Sequence, residues 1–367
     1  MSETYVLKTK KSIVNFYRNL RFGPSYKKMS EDNLKQDYGS QRIIIFATPS
    51  YGNLGDHAIT EAEVKFLRDN FPQRKLVEVT FKQYSYAKNK IINNITENDL
   101  IVIHGGGFLG TLWFEAELQT RDIIESFPNN KIFIMPQTIY FEDTKFGNDE
   151  LKQTINVYNN HSDLTICLRE KNSFEFVNEH FSSKVKTLLV PDIVMYLDET
   201  QYNMDERRNV LLCLRSDKEK ISQNTGYLKV IQDYLDKEDI KYTHTDTVVN
   251  VEIEGLSRRK WLREKWDEFG QSSLVVTDRL HGMIFCLITG SPCIAFDNKS
   301  KKVSGVYEWI KDCGFIICIT DENKSKLDNL EDLVNSLTTS AKSGYNRQNI
   351  EQKFNEISIA IEKNLKG

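Results

Sequence analysis

Residues 274–298, LVVTDRLHGMIFCLITGSPCIAFDN, restrict the fold more than any other part of this 367-residue chain. The apolar run at 274–276 is short enough for a buried strand, and 283–288 is long enough for about two helical turns. Turn-forming residues follow at 290–292, before a second strand at 293–296. The pattern therefore predicts a strand–turn–helix–turn–strand unit of a parallel sheet.

Three charged or titratable residues lie between the first strand and the helix of this unit: Asp278, Arg279 and His281. Open α/β sheets bind ligands at the carboxyl ends of their strands, and a helix N-terminus attracts anions. The three residues therefore indicate an anion site. The alternative is purely structural: Asp278 caps the helix, Arg279 pairs with Asp278, and His281 lies in the first turn.

The same arrangement recurs along the chain, since apolar strands end in Gly, Arg or Asp and a helical segment follows. These strands are predicted at 42–47, 76–80, 99–103, 131–135, 164–168, 186–190 and 210–214. Alternating strands and helices favour parallel sheets with right-handed crossovers. We therefore predict an α/β fold of two Rossmann-like parallel-sheet domains that face each other across a cleft.

Domain boundaries follow from composition. Residues 197–208 are polar and aperiodic, so we interpret them as the linker. The predicted parts are a basic N-terminal extension at 1–40, a first Rossmann-like domain at 41–200, a second at 205–345 and a C-terminal helix at 346–367.

Two glycine-rich loops follow strands of the first domain. Gly52 and Gly55 allow a tight turn before Asp56, for which the structural alternative is the N-cap of a helix at 57–71. Gly105 and Gly106 belong to HGGGFLG at 104–110, which would let the backbone approach a ligand closely. That loop is similar to the oxyanion loop of esterases, but no G-x-S-x-G elbow or Walker lysine accompanies it, which excludes both of those classes.

Strand ends of both domains supply the residues of the predicted cleft. The first domain offers Asp56, Arg169 and Asp192, and the second offers Arg215, Arg279, His281 and Lys302. Arginine side chains bind carboxylate and phosphate groups, so the cleft suits a small substrate with several negative charges. The acidic residues opposite would activate hydroxyl groups. For Lys302, in KSKK, a solvated loop position is an equal alternative.

Composition limits the partners. The formal net charge is −3 and no basic–aromatic stripe occurs, which argues against nucleic-acid binding. Six scattered cysteines predict reduced thiols in a cytoplasmic protein, and no ligand spacing predicts a metal or another cofactor. Residues 1–28 carry a net charge of +6. Either this basic amphipathic segment makes peripheral membrane contact, at the inner face, or it packs on its own domain.

Six stretches together resemble the polysaccharide pyruvyl transferases: GNLGDHAI at 52–59, HGGGFLG at 104–110, PQTI at 136–139, LRE at 168–170, PDIV at 191–194 and DRLHGMIFCLITGSPCIAFDN at 278–298. The resemblance covers about residues 43–310. It implies a fold similar to GT-B glycosyltransferases, and transfer of pyruvate from phosphoenolpyruvate to two hydroxyls of a sugar. The product would be a cyclic ketal, and phosphate would be released.

The resemblance also implies roles for the matched residues. Arg169 and Arg279 would clamp the donor, His281 would hold its phosphate or protonate its methylene, and Asp56 or Asp192 would accept a proton from the sugar. The substrate-binding set is Gly52, Asn53, Gly55, Gly105, Gly106, Gln137, Arg215, Leu280 and Lys302. The acceptor is a sugar, and whether it is lipid-linked is left open. The alternatives are a nucleotide-sugar glycosyltransferase and a non-catalytic anion- or sugar-binding protein of the same fold.

Overall fold

The computed structural model describes residues 42–203, 207–215, 224–298 and 300–366. The predicted basic N-terminal extension lies outside these residues. So does part of the predicted linker, 204–206, together with Lys299 of the basic loop. None of the helices in the described ranges has the length and hydropathy that a membrane span requires.

The first unit is built on a seven-stranded sheet in which all recorded pairings are parallel. The strand order is β2-β1-β3-β5-β6-β7, with β4 beside β5. Its elements are β1 (Arg42–Thr48), α1 (Leu54–Asn70), β2 (Lys75–Thr80), α2 (Phe81–Ile92), β3 (Leu100–Ile103), β4 (Gly106–Gly110), α3 (Phe114–Ser126), β5 (Ile132–Tyr140), α4 (Lys145–Asn160), β6 (Leu164–Leu168), α5 (Lys171–His180) and β7 (Lys186–Leu189).

The second unit carries a five-stranded parallel sheet, ordered β12-β11-β10-β8-β9. Its elements are β8 (Arg208–Cys213), α6 (Asn224–Lys237), β9 (Tyr242–Thr245), α7 (Gly255–Gly270), β10 (Ser272–Thr277), α8 (Leu280–Thr289), β11 (Cys293–Phe296), α9 (Lys302–Tyr307), β12 (Ile316–Ile319) and α10 (Leu330–Ser343). Two parallel α/β units confirm the predicted fold class.

The central strands are continuous apolar runs because helices cover both faces of each sheet. Residues 43–46 of β1 and 293–296 of β11 are fully buried. The same applies to α8, which is buried all round except at His281 and carries the apolar run predicted at 283–288. All six cysteines are buried and free of disulfides, as predicted.

The last helix, α11 (Gln348–Lys366), follows the second unit in sequence but packs on the first. Phe354 contacts Tyr196 edge-on at 5.4 Å between ring centroids, and Tyr196 contacts Phe66 of α1 at 5.2 Å. Arg347 donates to the carbonyl of Leu197 at 2.7 Å. One apolar cluster consequently runs from α1 through both units to α11.

Two sequence predictions in the first unit are wrong in their boundaries. The strand predicted at 131–135 does not stop at Pro136 but continues to Tyr140, and the glycine loop at 104–110 contains strand β4. The two errors have one cause. β4 pairs with the extension of β5, from Gly106 opposite Gln137 to Gly110 opposite Tyr140, and forms a ribbon beyond the end of β3. The sequence does not indicate this pairing, because glycine and proline are uncommon in strands.

Strand order reverses once in each sheet, between β1 and β3 in the first and between β8 and β10 in the second. Ligands of open α/β sheets bind at such switch points. The loops at these points contain Asn53 and His104 in the first unit, and Arg215 and Arg279 in the second. The switch points of both sheets therefore coincide with the loops predicted to bind the substrate.

Candidate active site

The loop between β1 and α1 is held by its own side chains. Asn53 is the N-cap of α1, and its Oδ1 accepts from the Gly55 N–H at 3.0 Å. The alternative in which Asp56 is the N-cap is therefore wrong. Asp56 lies in the first turn, half-buried, and its Oδ2 accepts from the Tyr51 hydroxyl at 2.9 Å and from Asn53 Nδ2 at 2.8 Å.

A segment of the second unit, residues 246–253, crosses onto this loop. The Leu54 N–H donates to the Thr247 carbonyl at 2.8 Å, and the Val249 N–H donates to the Gly52 carbonyl at 2.7 Å. A Cβ at Gly52 would lie 1.8 Å from the Val249 carbonyl oxygen, so only glycine fits there. Gly52 and Asn53 thus join the two units in this structure, and their substrate contacts stay predictions.

The glycine loop is anchored from beneath by a buried glutamate and a buried glutamine. Glu63 of α1 accepts from the Gly105 N–H at 2.7 Å, and its other oxygen lies 2.8 Å from His104 Nδ1. Gln137 donates to the His104 carbonyl at 2.8 Å. His104 is accordingly a structural partner of the loop, and the Gln137 amide is engaged with backbone.

The buried residues Arg169 and Asp192 and the partly buried His281 form a chain across the two units. Arg169 Nη1 donates to Asp192 Oδ2 at 2.6 Å, and His281 Nε2 lies 3.7 Å from the same oxygen. Burial alone would raise the pKa of Asp192, but Arg169, His281 and the Val194 N–H outweigh burial and hold the pKa well below its usual range. Asp192 is therefore a fixed anion.

The backbone of Gly55 sets the position of His281, because a Cβ at Gly55 would lie 2.2 Å from His281 Nδ1. Gly55 therefore contributes to the site because its backbone, which lacks a side chain, packs against the imidazole. Among the described residues, none accepts a hydrogen bond from His281 Nε2.

Cationic groups of both units converge on Gly107 in strand β4. A Cβ at Gly107 would lie 2.7 Å from Arg169 Nη2 and 3.5 Å from Lys302 Nζ. Lys302 is 8% exposed, which excludes the solvated alternative considered for it. Arg169 uses Nε on Thr138 and Nη1 on Asp192, and no described residue accepts from Nη2. Nη2 is thus the nitrogen of Arg169 left to meet a ligand.

Arg279 pairs with a residue that sequence reasoning missed. Its Nε and Nη2 donate to the two oxygens of Asp246 at 2.8 and 2.7 Å, a bidentate contact. Asp278 instead accepts from the Arg215 N–H at 2.8 Å, and Arg279 is the N-cap of α8. The structural alternative, in which Asp278 caps the helix and pairs with Arg279, is therefore wrong.

Gly106 and Leu280 were also predicted to bind substrate. Gly106 has φ +138°, in the region that favours glycine. The Leu280 side chain is buried in the apolar cluster between the units, so only its backbone faces the helix N-terminus. The described residues contain no group of three or more His, Cys, Asp or Glu placed to hold a metal ion.

The chain matches the family model of the polysaccharide pyruvyl transferases over residues 53–300. The chain belongs to the polysaccharide pyruvyl transferase family. Enzymes of this family transfer a pyruvyl group to a polysaccharide, and the match includes Gly55, the glycine loop at 104–110, Arg169, Asp192 and the whole of α8.

Two relatives and one solved structure extend the match. The chain is 36% identical to "General stress protein 30" of Bacillus subtilis (strain 168) over 81% of its own length and 85% of the relative's. It is 25% identical to "Pyruvyl transferase 1" of Schizosaccharomyces pombe (strain 972 / ATCC 24843), over 75% of this chain and 71% of that one. The crystal structure of KP1_0663 from Klebsiella pneumoniae aligns with TM-score 0.53 and 20% identity over 83% and 98% of the two chains, and so supports the fold.

Proposed function

We propose that this family member takes pyruvate from phosphoenolpyruvate, joins it to two hydroxyls of one sugar as a cyclic ketal and releases phosphate. This donor is supported by the positions of Arg169 Nη2 and Lys302 Nζ, which both lie close to Gly107. Two cations from different units, facing a strand that lacks a side chain, make a site for a compact dianion such as phosphate.

The donor also carries a carboxylate, for which the second unit has a separate cation. Arg279 stands at the start of α8, where the backbone amides of the first turn and the helix dipole favour an anion. Its bidentate contact with Asp246 fixes the plane of the guanidinium. In the proposed complex the donor phosphate lies near Gly107 and the carboxylate lies near Arg279.

Transfer requires a proton on the methylene carbon of phosphoenolpyruvate, which makes the adjacent carbon electrophilic. One sugar hydroxyl adds to that carbon and loses its proton to a base, and the C–O bond to phosphate breaks with its electrons leaving on phosphate. The second hydroxyl then closes the ketal, and its proton passes to the released phosphate. His281 is the proposed proton donor because its imidazole faces the fixed anion Asp192 at 3.7 Å. In this scheme the Asp192 carboxylate orients the imidazole towards the donor.

Asp56 is the proposed base for the sugar hydroxyl. It is half-buried at the first switch point, and Tyr51 and Asn53 direct its carboxylate through hydrogen bonds of 2.9 and 2.8 Å. Asp192 does not serve as base in this scheme, since the ion pair with Arg169 removes its basicity. A lipid-linked acceptor would place the enzyme at the inner face of the membrane, with residues 1–28 as the proposed contact.

The test measures phosphate release from phosphoenolpyruvate with a panel of sugar acceptors, for the wild type and two lysine variants. Lys302→Met keeps length but removes the charge, and loss of a charge-assisted contact should raise the KM for phosphoenolpyruvate about 10- to 100-fold. Lys301→Met, at the exposed neighbouring lysine, is the matched control and should match the wild type. Equal KM values for Lys302→Met and the wild type would refute the donor site.

A further inference from the structure

Glu170 directly follows Arg169 and is 3% exposed, an unusual environment for a carboxyl group. Groups from three elements enclose it. Ser173 of α5 donates to Oε1, and the Thr138 hydroxyl of β5 lies 3.4 Å from Oε2. From the second unit, Gly305 of α9 is so close that a Cβ there would lie 2.9 Å from the Glu170 Cβ and Cγ.

Thr138 links this carboxyl group to Arg169. Arg169 Nε donates to Thr138 Oγ1 at 2.9 Å, so the hydroxyl oxygen is used as an acceptor. The hydroxyl proton is then available for Glu170 Oε2. Ser173 is used in the same way, since its Oγ accepts from the Ile139 N–H at 2.9 Å while donating to Glu170. Two hydroxyls thus join Glu170 to the extension of β5 and to the guanidinium.

The charge on Glu170 changes near neutral pH. Burial raises its pKa to about 7, against the hydrogen bond from Ser173 and the positive charge of Arg169. Arg169 is the charged group that faces it, whereas β5, α5 and α9 contribute Thr138, Ser173 and Gly305, which are uncharged. An ionised Glu170 accepts the Thr138 proton. A protonated one donates to the second lone pair of Thr138 Oγ1, so that the hydroxyl oxygen accepts from both Glu170 and Arg169 Nε and its own proton turns away.

We propose that Glu170 is a positioning residue that acts through Thr138 to fix the rotation of the Arg169 guanidinium. With Nε held by Thr138 and Nη1 by Asp192, the plane of the group is set and Nη2 faces Gly107. The second unit participates as well, since Trp309 Nε1 donates to the Arg169 carbonyl at 2.8 Å. The consequence for activity rests on the proposed donor site, but the contact itself does not.

The contact is tested without turnover by NMR of the Arg169 Nε–H group, identified by its absence in Arg169→Lys. In the wild type its chemical shift should titrate with a midpoint near the Glu170 pKa of about 7. The titration should disappear in Glu170→Gln and in Thr138→Val, and persist in Thr138→Ser, which keeps the hydroxyl. Glu175→Gln, at a 60% exposed carboxylate on the same helix, is the matched control.

Kinetics then test the positioning role. Thr138→Val should raise the KM for phosphoenolpyruvate about tenfold with a smaller change in kcat, and Thr138→Ser should restore it. If the NMR titration persists in Glu170→Gln, or if Thr138→Val keeps the wild-type KM, the positioning role is overturned. If instead the wild type releases no phosphate from phosphoenolpyruvate with any acceptor, the proposed function fails, while the NMR result still decides the contact.

Discussion

The Asp192 carboxylate belongs to the first unit, and the His281 imidazole of the second unit lies 3.7 Å from it. This contact places the imidazole of one unit against a fixed anion of the other. Asp192 also pairs with Arg169 at 2.6 Å, and both side chains are 1% exposed. One carboxylate therefore neutralises the buried arginine and faces the histidine at the same time.

Asp192→Asn should reduce both stability and activity, because it leaves the Arg169 charge buried without a counter-charge. Breaking one half of a buried ion pair costs about 3 to 5 kcal/mol of unfolding free energy. Urea denaturation measures that cost, and phosphate release should fall at least about 100-fold. Asp143→Asn, at an exposed aspartate, should change neither quantity. A fully active, equally stable Asp192→Asn protein would contradict this account.

Gly55→Ala should disable the enzyme through His281 without unfolding it. The new Cβ would lie 2.2 Å from His281 Nδ1, so the imidazole must move away from its place beside Asp192. We expect kcat to fall at least about tenfold while the melting temperature changes little. Gly226→Ala is the control, since nothing lies within 4 Å of a Cβ there and alanine favours helix α6.

Glu170→Gln should change how stability depends on pH. Folding raises the pKa of this group from 4.5 to about 7, so between these values the folded protein holds a proton that the unfolded chain has released. Stability from this group is therefore complete below about pH 4.5 and is lost as pH rises towards 7, by about 3 kcal/mol. Unfolding free energies at pH 5 and pH 8 should differ less in the variant. An unchanged difference would exclude this titration.

Asp246→Asn should weaken donor binding through Arg279. The carboxylate holds both Nε and Nη2 of Arg279, whereas an amide accepts through one oxygen only. We expect the KM for phosphoenolpyruvate to rise about three- to tenfold. In an Arg279→Lys background the same change should have a much smaller effect, and a double-mutant cycle measures this coupling. Additive effects of the two substitutions would refute the dependence.

The alternation of strands and helices was predictable from the sequence. Short apolar runs that end in Gly, Arg or Asp and precede a helical segment are typical of a parallel sheet. β11, at Cys293–Phe296, has the predicted boundaries, and Arg169 and Arg279 lie just after the ends of strands, as predicted. Asp56 and His281 lie in the first turns of the helices that follow. The ribbon of β4 and β5 was missed, because glycine and proline are poor strand formers and only pairing between Gly106 and Gln137 reveals it.

Residues that act by holding others were harder to predict. Asp246, Glu63 and Thr138 lie in no charged motif, and their roles depend on contacts with distant parts of the chain. Thr138 was part of a quoted motif, which gave a weak signal. Asp246 follows a short exposed strand, and nothing in its neighbourhood indicates that it faces Arg279.

The return of α11 to the first unit has a consequence during synthesis. The apolar face formed by Phe66 and Tyr196 is completed by Phe354, which the ribosome adds more than a hundred residues after Tyr196. At about 5 to 20 residues per second, that face stays open to water, chaperones or other chains for on the order of ten seconds. The first unit of this enzyme is therefore synthesised early, but its apolar face is covered only when nearly the whole chain has been made.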